Sequence, residues 1–251
     1  MKAYIDINCD MGESYGHFTV GNDEAIMPYI SSCNLACGFH GGDPLTMMKS
    51  LELAQAHQVR IGAHPGFQDV AGFGRRFMQL QPDEFLSMLC YQVSALMGMA
   101  EYVGSKVHYI KAHGAMYAWV NHDENAAQIM LKVASTFDLA IMGKPHSLLH
   151  SLAETKDISF IREGFADRKY LHDGKLQKRS EEGAVLSSEH DIIEQVSRLL
   201  QEIPLQTADS ASLKVEVDSI CIHGDHSHSP RNARLIHNLL QELEIQLYKE
   251  E

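Results

Sequence analysis

Short apolar runs recur along the chain at 3–9, 33–39, 58–63, 107–112, 138–143, 158–163 and 217–223, each long enough for one β-strand. Between them the apolar positions switch to helical spacing. Asp43 followed by Pro44 is a cap with proline at the first helical position, ahead of Met48, Leu51 and Leu53. Gln81 and Pro82 open a longer helix with Phe85, Leu89, Val93, Leu96 and Ala100 along one side. Ser188 and Asp191 give a capping signal ahead of Ile192, Val196, Leu199 and Leu200, with Pro204 beyond the end. Ser229 and Pro230 start a last helix through Ile236, Leu239 and Leu240. Strand and helix alternate without a composition break over residues 1–251, which predicts an α/β fold: a parallel sheet closed into a single-domain (β/α)7-type barrel. An open, doubly wound sheet is the alternative.

Side chains alternate between the two faces of a strand, so parity sorts them. Asp6, Asn8 and Asp10 fall together, opposite Ile5, Ile7 and Cys9. The same rule groups Asn34, Ala36, Gly38 and His40; Arg60, Gly62 and His64; Lys111 and His113; and Ser219, Cys221, His223 and Asp225. Five strands thus carry small or polar residues on one face and end in a titratable group beside Gly or Pro. Inside a barrel such a face leaves space for a ligand where aliphatic side chains would normally fill it.

Composition narrows the ligand. The 251 residues carry 21 basic and 33 acidic side chains, a formal charge of −12, and no basic cluster, which argues against nucleic acid. The start MKAYIDINCD has no apolar leader and no stretch reads as a membrane span, so a cytoplasmic protein is expected. Five cysteines without secretory context are expected to be reduced. Cys33, Cys37 and His40 superficially resemble a zinc site, but strand residues four apart sit roughly 13 Å from each other, too far to share an ion.

Asp10, Glu13, His40, His64 and His113 offer acids and bases near neutral pH, and Lys111 either stabilises an oxyanion or serves as a base with a depressed pKa. A carboxylate with two histidines also suits a divalent ion that activates water. Arg75 and Arg76, after the glycines of GFGRR, have the geometry to grip a carboxylate or phosphate, or form a solvated loop. Glu163, Asp167 and Arg168 leave the sixth strand, and His223 and Asp225 the seventh, as further pocket candidates. Residues 164–183 form the longest polar insertion, a candidate lid with a turn at Asp173-Gly174. There is no GxxxxGK[ST] phosphate loop, dinucleotide fingerprint or GxSxG elbow.

The blocks DINCDMGESYG, NLACGFHGGDP, IGAHPGFQDVAGFGRR, IKAHGAMY, EGFADRKY and ICIHGD, in this order from Asp6 to Asp225, resemble the signature of the LamB/YcsF family, that of the A component of bacterial ATP-hydrolysing 5-oxoprolinase. Where the family usually has Lys-Pro-His, this chain has Lys111-Ala112-His113. The resemblance implies a seven-stranded barrel of the glycoside hydrolase/deacetylase type and ATP-dependent cleavage of 5-oxo-L-proline to L-glutamate. It also implies a complex with B and C subunits similar to carboxyltransferase-like or allophanate-hydrolase-like proteins, through which ATP would be bound or used. On that reading Asp10, His40, His64, Lys111 and His113 are catalytic, and Asn8, Glu13, Arg75, Arg76, Glu163, Asp167, Arg168, His223 and Asp225 bind substrate. The rival readings are a stand-alone metal-dependent deacetylase or amidohydrolase, and a non-catalytic substrate-delivery subunit.

Overall fold

A computed structural model describes residues 2–248; Met1 and residues 249–251 lie outside the described residues. Strands β1 (Tyr4–Met11), β2 (Ser32–Ala36), β3 (Arg60–His64), β4 (Val107–Ile110), β5 (Ala140–Gly143) and β6 (Phe160–Phe165) pair in sequence order, all parallel. A small antiparallel pair, β7 (Leu205–Gln206) and β8 (Ser212–Leu213), precedes β9 (Ser219–Ile222), and β10 (Gln246–Leu247) ends the series. β9 pairs with both β6 and β1, which closes a seven-stranded parallel barrel; β10 adds to β1 at Tyr4 and Ile5. All seven apolar runs are barrel strands, with ends displaced by at most three residues.

Helices α1 (Asp23–Ile26), α2 (Pro44–His57), α3 (Pro82–Tyr102), α4 (Gly114–Val120), α5 (Glu124–Phe137), α6 (Leu148–Thr155), α7 (Glu189–Leu200) and α8 (Ser229–Glu242) complete the fold. The expected caps are present: Asp43 accepts from the Leu45 and Thr46 amides, and Ser188 accepts from the Asp191 amide. Parity holds in β1, where Ile5, Ile7, Cys9 and Met11 join the hydrophobic core. Asp6, Asn8 and Asp10 point the other way, into the barrel.

That interior is a hydrogen-bonded ladder. Asp6 accepts from the hydroxyls of Ser31, Ser32 and Ser219. Asn34 donates to Asn8 Oδ1 and Asp10 Oδ1, each at 2.7 Å, and the Tyr109 hydroxyl donates to Asn34 Oδ1 at 2.7 Å. Satisfying every member matters, because an unpaired buried polar group costs about 1–3 kcal/mol. Gly62 lies between Asn34 and Tyr109 in the register, and a Cβ there would sit 2.1 Å from the Tyr109 ring. The glycine thus makes room for the tyrosine that fixes Asn34.

Parity holds in β2 for Cys33, Asn34 and Leu35 and fails beyond Ala36. Gly38 takes φ +92° and donates to the Gly41 carbonyl, so extended backbone stops at Ala36 and His40 rides on a turn.

Gly62→Ala is expected to cost about 3 kcal/mol by overpacking. Gly98→Ala, on an exposed part of α3 with nothing within 4 Å of the added methyl, is expected to be neutral or stabilising by up to about 1 kcal/mol. Denaturant unfolding of the two variants beside the parent checks both.

Candidate active site

The carboxyl ends of the barrel strands converge on a cavity of about 380 Å³ whose walls include Asp10, His64, Lys111, His113, His223 and Asp225. β1 delivers Asp10, and Gly12 at φ +67° turns the chain so that Glu13 faces the same space. β3 ends on His64, and the two residues Lys111 and His113 bridge β4 and α4. Gly66 and Gly74 admit the imidazole behind them: an added Cβ would lie 2.5 Å from His40 Nδ1 at the first and 2.8 Å from His40 Cβ at the second.

Lys111 occupies the middle of the barrel. Its Nζ lies 2.8 Å from Asp10 Oδ1, 2.6 Å from Glu163 Oε1, 3.2 Å from Asn8 Oδ1 and 3.3 Å from Cys221 Sγ. Burial opposes its charge, but the flanking carboxylates win and hold its pKa well above the usual lysine value. The expectation of a depressed-pKa base is therefore overturned: Lys111 is an ammonium. Burial likewise disfavours the Asp10 carboxylate, yet His64, 3.4 Å away, and Lys111 keep its pKa well below the ordinary range. Glu13 goes the other way, raised by burial and by Asp10 and Asp225. Two carboxyls side by side thus differ in affinity for a proton, the usual signature of separate acid and base roles.

The histidines form a stack. His40 and His113 lie parallel, centroids 3.7 Å apart, and His64 meets His113 edge-on with Nε2 3.0 Å from His113 Nδ1. The Lys111 carbonyl lies 2.7 Å from His64 Nδ1, and the Phe73 carbonyl 2.8 Å from His113 Nε2. Burial, then His64, pulls His113 down to about 3; burial, then His113, lowers His40 strongly. His223, with a ring nitrogen within 4.8 Å of Asp10 and Cys221, has Nδ1 2.7 Å from Asp167 Oδ1 and stacks on Phe165. Despite its burial, Asp167 is kept below the usual carboxylate range by His223.

The structure brings the remaining candidates together unequally. Arg75 lines the cavity and pairs with Asp225 at 2.5 Å; Arg168 lines it too, lowered to about 10 by burial and then by Arg179. Arg76 turns away, bound to Asp69 on the surface, because the Asp69 carboxylate also caps the turn at Gly72 and holds the guanidinium there. Asn8, His40, Glu163 and Asp167 stand behind the cavity wall, each against a residue that lines it. Arg179, which pairs with Asp225 at 3.2 Å, and the walls Phe73, Tyr117 and Phe165 escaped the sequence reading. Arg179 sits in the polar insertion, where a charge run gives no sign of facing inward. Cys33 and Cys37 are buried packing residues, as expected.

One side chain from each of Glu13, His40, His64 and His113 offers a ligand atom within 4.8 Å of the others. Glu13 Oε1 and both His40 ring nitrogens are buried without a hydrogen-bond partner. Three imidazoles and a carboxylate are a donor set that fits a divalent cation such as zinc.

A family model described as LamB/YcsF family matches residues 5–250. The chain belongs to the LamB/YcsF family. As a LamB/YcsF protein it is 42% identical over 227 residues to the 5-oxoprolinase A component of Bordetella pertussis, covering 90% of each chain. The lactam utilization protein from Thermus thermophilus superposes with a TM-score of 0.92 at 35% identity over 100% of both chains. A family 4 carbohydrate esterase from Streptomyces lividans gives a TM-score of 0.51 at 12% identity over 98% of this chain and 91% of that one, which shows a shared barrel fold alone. Among the described residues of this LamB/YcsF chain, no helix is long and apolar enough to cross a membrane.

The unfolded chain takes up a proton on His113 near pH 6.5, while the folded chain holds out to about 3, so stability falls as pH drops through that window by up to about 1.4 kcal/mol per pH unit. His40 acts in the same sense and Glu13 in the opposite one. For metal-stripped protein, urea unfolding is expected to give lower stability at pH 5 than at pH 7. His113→Asn is expected to flatten that dependence by about one proton, and an unchanged slope would contradict the assignment.

Proposed function

We propose that this chain, as one barrel domain, is the A component of an ATP-hydrolysing 5-oxoprolinase that opens 5-oxo-L-proline to L-glutamate together with B and C subunits. The observation that carries the reading is the small cavity that gathers a buried ammonium, an ionised carboxylate and, next to them, an Asp–His pair. A five-membered lactam fits that volume, and its chemistry needs those groups. The names of the relatives, a 5-oxoprolinase component and a lactam utilization protein, support the substrate class.

An unstrained lactam resists hydrolysis, so its carbonyl oxygen is phosphorylated by ATP in the partner subunits. Water then adds to the activated carbon, the C–N bond breaks as the nitrogen takes a proton, and a second water releases phosphate from the acyl carbon. Asp10, aligned by His64, accepts the proton of the attacking water. The Lys111 ammonium, itself 2% exposed, faces the oxygen on which negative charge develops. His113 or His223 delivers the proton to the departing nitrogen, with Asp167 fixing the His223 ring so that Nε2 is presented. Arg75, Arg168 and Arg179 hold the substrate carboxylate. An anion beside Arg168 would offset the crowding of guanidinium groups that lowers its pKa.

The metal-capable cluster favours a second reading, a metal-dependent amidohydrolase, in which Glu13, His40, His64 and His113 would hold a divalent ion that supplies Lewis acidity. Glutamate release from 5-oxoproline, measured with this chain alone and with the B and C subunits, with and without ATP, separates the two. Turnover in the ATP-containing mixture alone is expected. Asp10→Asn and His64→Ala should each lower it by about 100-fold or more. ATP-independent cleavage by the lone chain, abolished by chelator, would establish the second reading instead. Full activity of both variants in the mixture would reduce the chain to substrate delivery.

A further inference from the structure

A second cavity of about 950 Å³ adjoins the first. Gly114 and Ala115 stand where the two meet, and Tyr117, Phe165 and Leu176 line both. The second chamber is walled by Phe77, Trp119, Tyr170, Leu171, Leu213 and Val215, contributed by the loop before α3, α4, the polar insertion, and β8 with the segment after it. Its volume far exceeds what a five-membered lactam needs, so the proposed reaction leaves it unexplained.

Its charge differs from that of the chain. The protein carries −12 overall, yet Arg75, Lys144, Lys175, Lys178 and Lys214 border the chamber, against Asp173 at the rim and Glu163 on the side of the barrel. Lys144 and Lys175 both use Asp173, through its carbonyl at 2.9 Å and its carboxylate at 2.6 Å, and Lys214 reaches Glu202 at 3.2 Å. Aromatic walls and a cationic rim describe a ligand with an apolar body and a terminal anion.

We propose that the chamber is a second subsite, and that the two cavities together bind 5-oxoprolyl amides of hydrophobic amino acids. The lactam ring occupies the first cavity, the amide passes the gap at Gly114 and Ala115, the hydrophobic side chain lies against Tyr117 and Trp119, and the terminal carboxylate meets the lysine rim. This rests on the lactam reading of the first cavity, with the amide carbonyl standing where the carboxylate of 5-oxoproline would meet the arginines.

Trp119 is the single tryptophan of the chain, so its emission reports on the second chamber. The test is a fluorescence titration of the full chain with 5-oxoprolyl-phenylalanine, 3-phenylpropionate and 5-oxoproline, with calorimetry of the same ligands. The amide is expected to change the emission saturably and to bind at least 10-fold more tightly than 5-oxoproline. Phenylpropionate is expected to give a weaker saturable change. A Lys175→Glu, Lys214→Glu double variant should weaken the amide at least 5-fold, leave 5-oxoproline affinity unchanged, and melt near the parent temperature. Protein that binds 5-oxoproline but shows no saturable response to the amide or to phenylpropionate overturns the subsite. A response to both, with no binding of or competition by 5-oxoproline, upholds the subsite and defeats the lactam reading of the first cavity.

Discussion

The ammonium of Lys111, buried at the centre of a closed barrel, sets the terms for the rest of the structure. Taking a charge out of water costs several kcal/mol even after relaxation, and the cost is met only where opposite charge and hydrogen-bond acceptors surround it. β1 supplies Asp10 and Asn8, β6 supplies Glu163 and β9 supplies Cys221, so three strands must hold their register for one side chain to be tolerable. The layers beneath continue the pattern, with Asp6 ringed by three serines and Asn34 locked by Tyr109. Barrels of this kind usually fill the same volume with branched aliphatics. Here polar pairing replaces them, and the aliphatic core lies between sheet and helices.

The same constraint organises the chemistry. Lys111 and His64 keep Asp10 ionised, and the ionised Asp10 in turn raises Glu13. His40 and His113 are held neutral by burial, leaving imidazole nitrogens to accept a proton or ligate an ion. The Asp167–His223 pair follows β6 and β9, the strands that also bring Glu163 and Cys221 to Lys111, and His223 and Lys111 both pack on the Phe165 ring. A reactant in the cavity meets fixed positive charge and an oriented proton carrier close together.

Much of this was legible in the residues themselves. All seven strands, the caps at Asp43 and Ser188, and the inward parity of Asp6, Asn8 and Asp10 follow from local periodicity, which the fold preserves. Parity misled at His40, where Gly38 ends the strand; the imidazole reaches the site through a turn instead. The charge state of Lys111 was invisible because it depends on Glu163 and Asp10, 52 and 101 residues away in sequence. Arg75 and Arg76 are equivalent in sequence, and a local capping contact at Asp69 decides which one faces the cavity. The role of Gly62 as space for Tyr109 likewise required the register between β3 and β4.

If the buried ion cluster exists for substrate chemistry, it should be dispensable for folding, since well-packed neutral replacements of buried ion pairs are often neutral or stabilising. The most direct measurement is calorimetric titration of 5-oxoproline into an Asp10→Asn, Lys111→Met, Glu163→Gln triple variant, alongside its thermal unfolding. The account predicts a variant that melts at or above the parent temperature and binds 5-oxoproline at least 100-fold more weakly. A folded variant that binds 5-oxoproline as the parent does would contradict it.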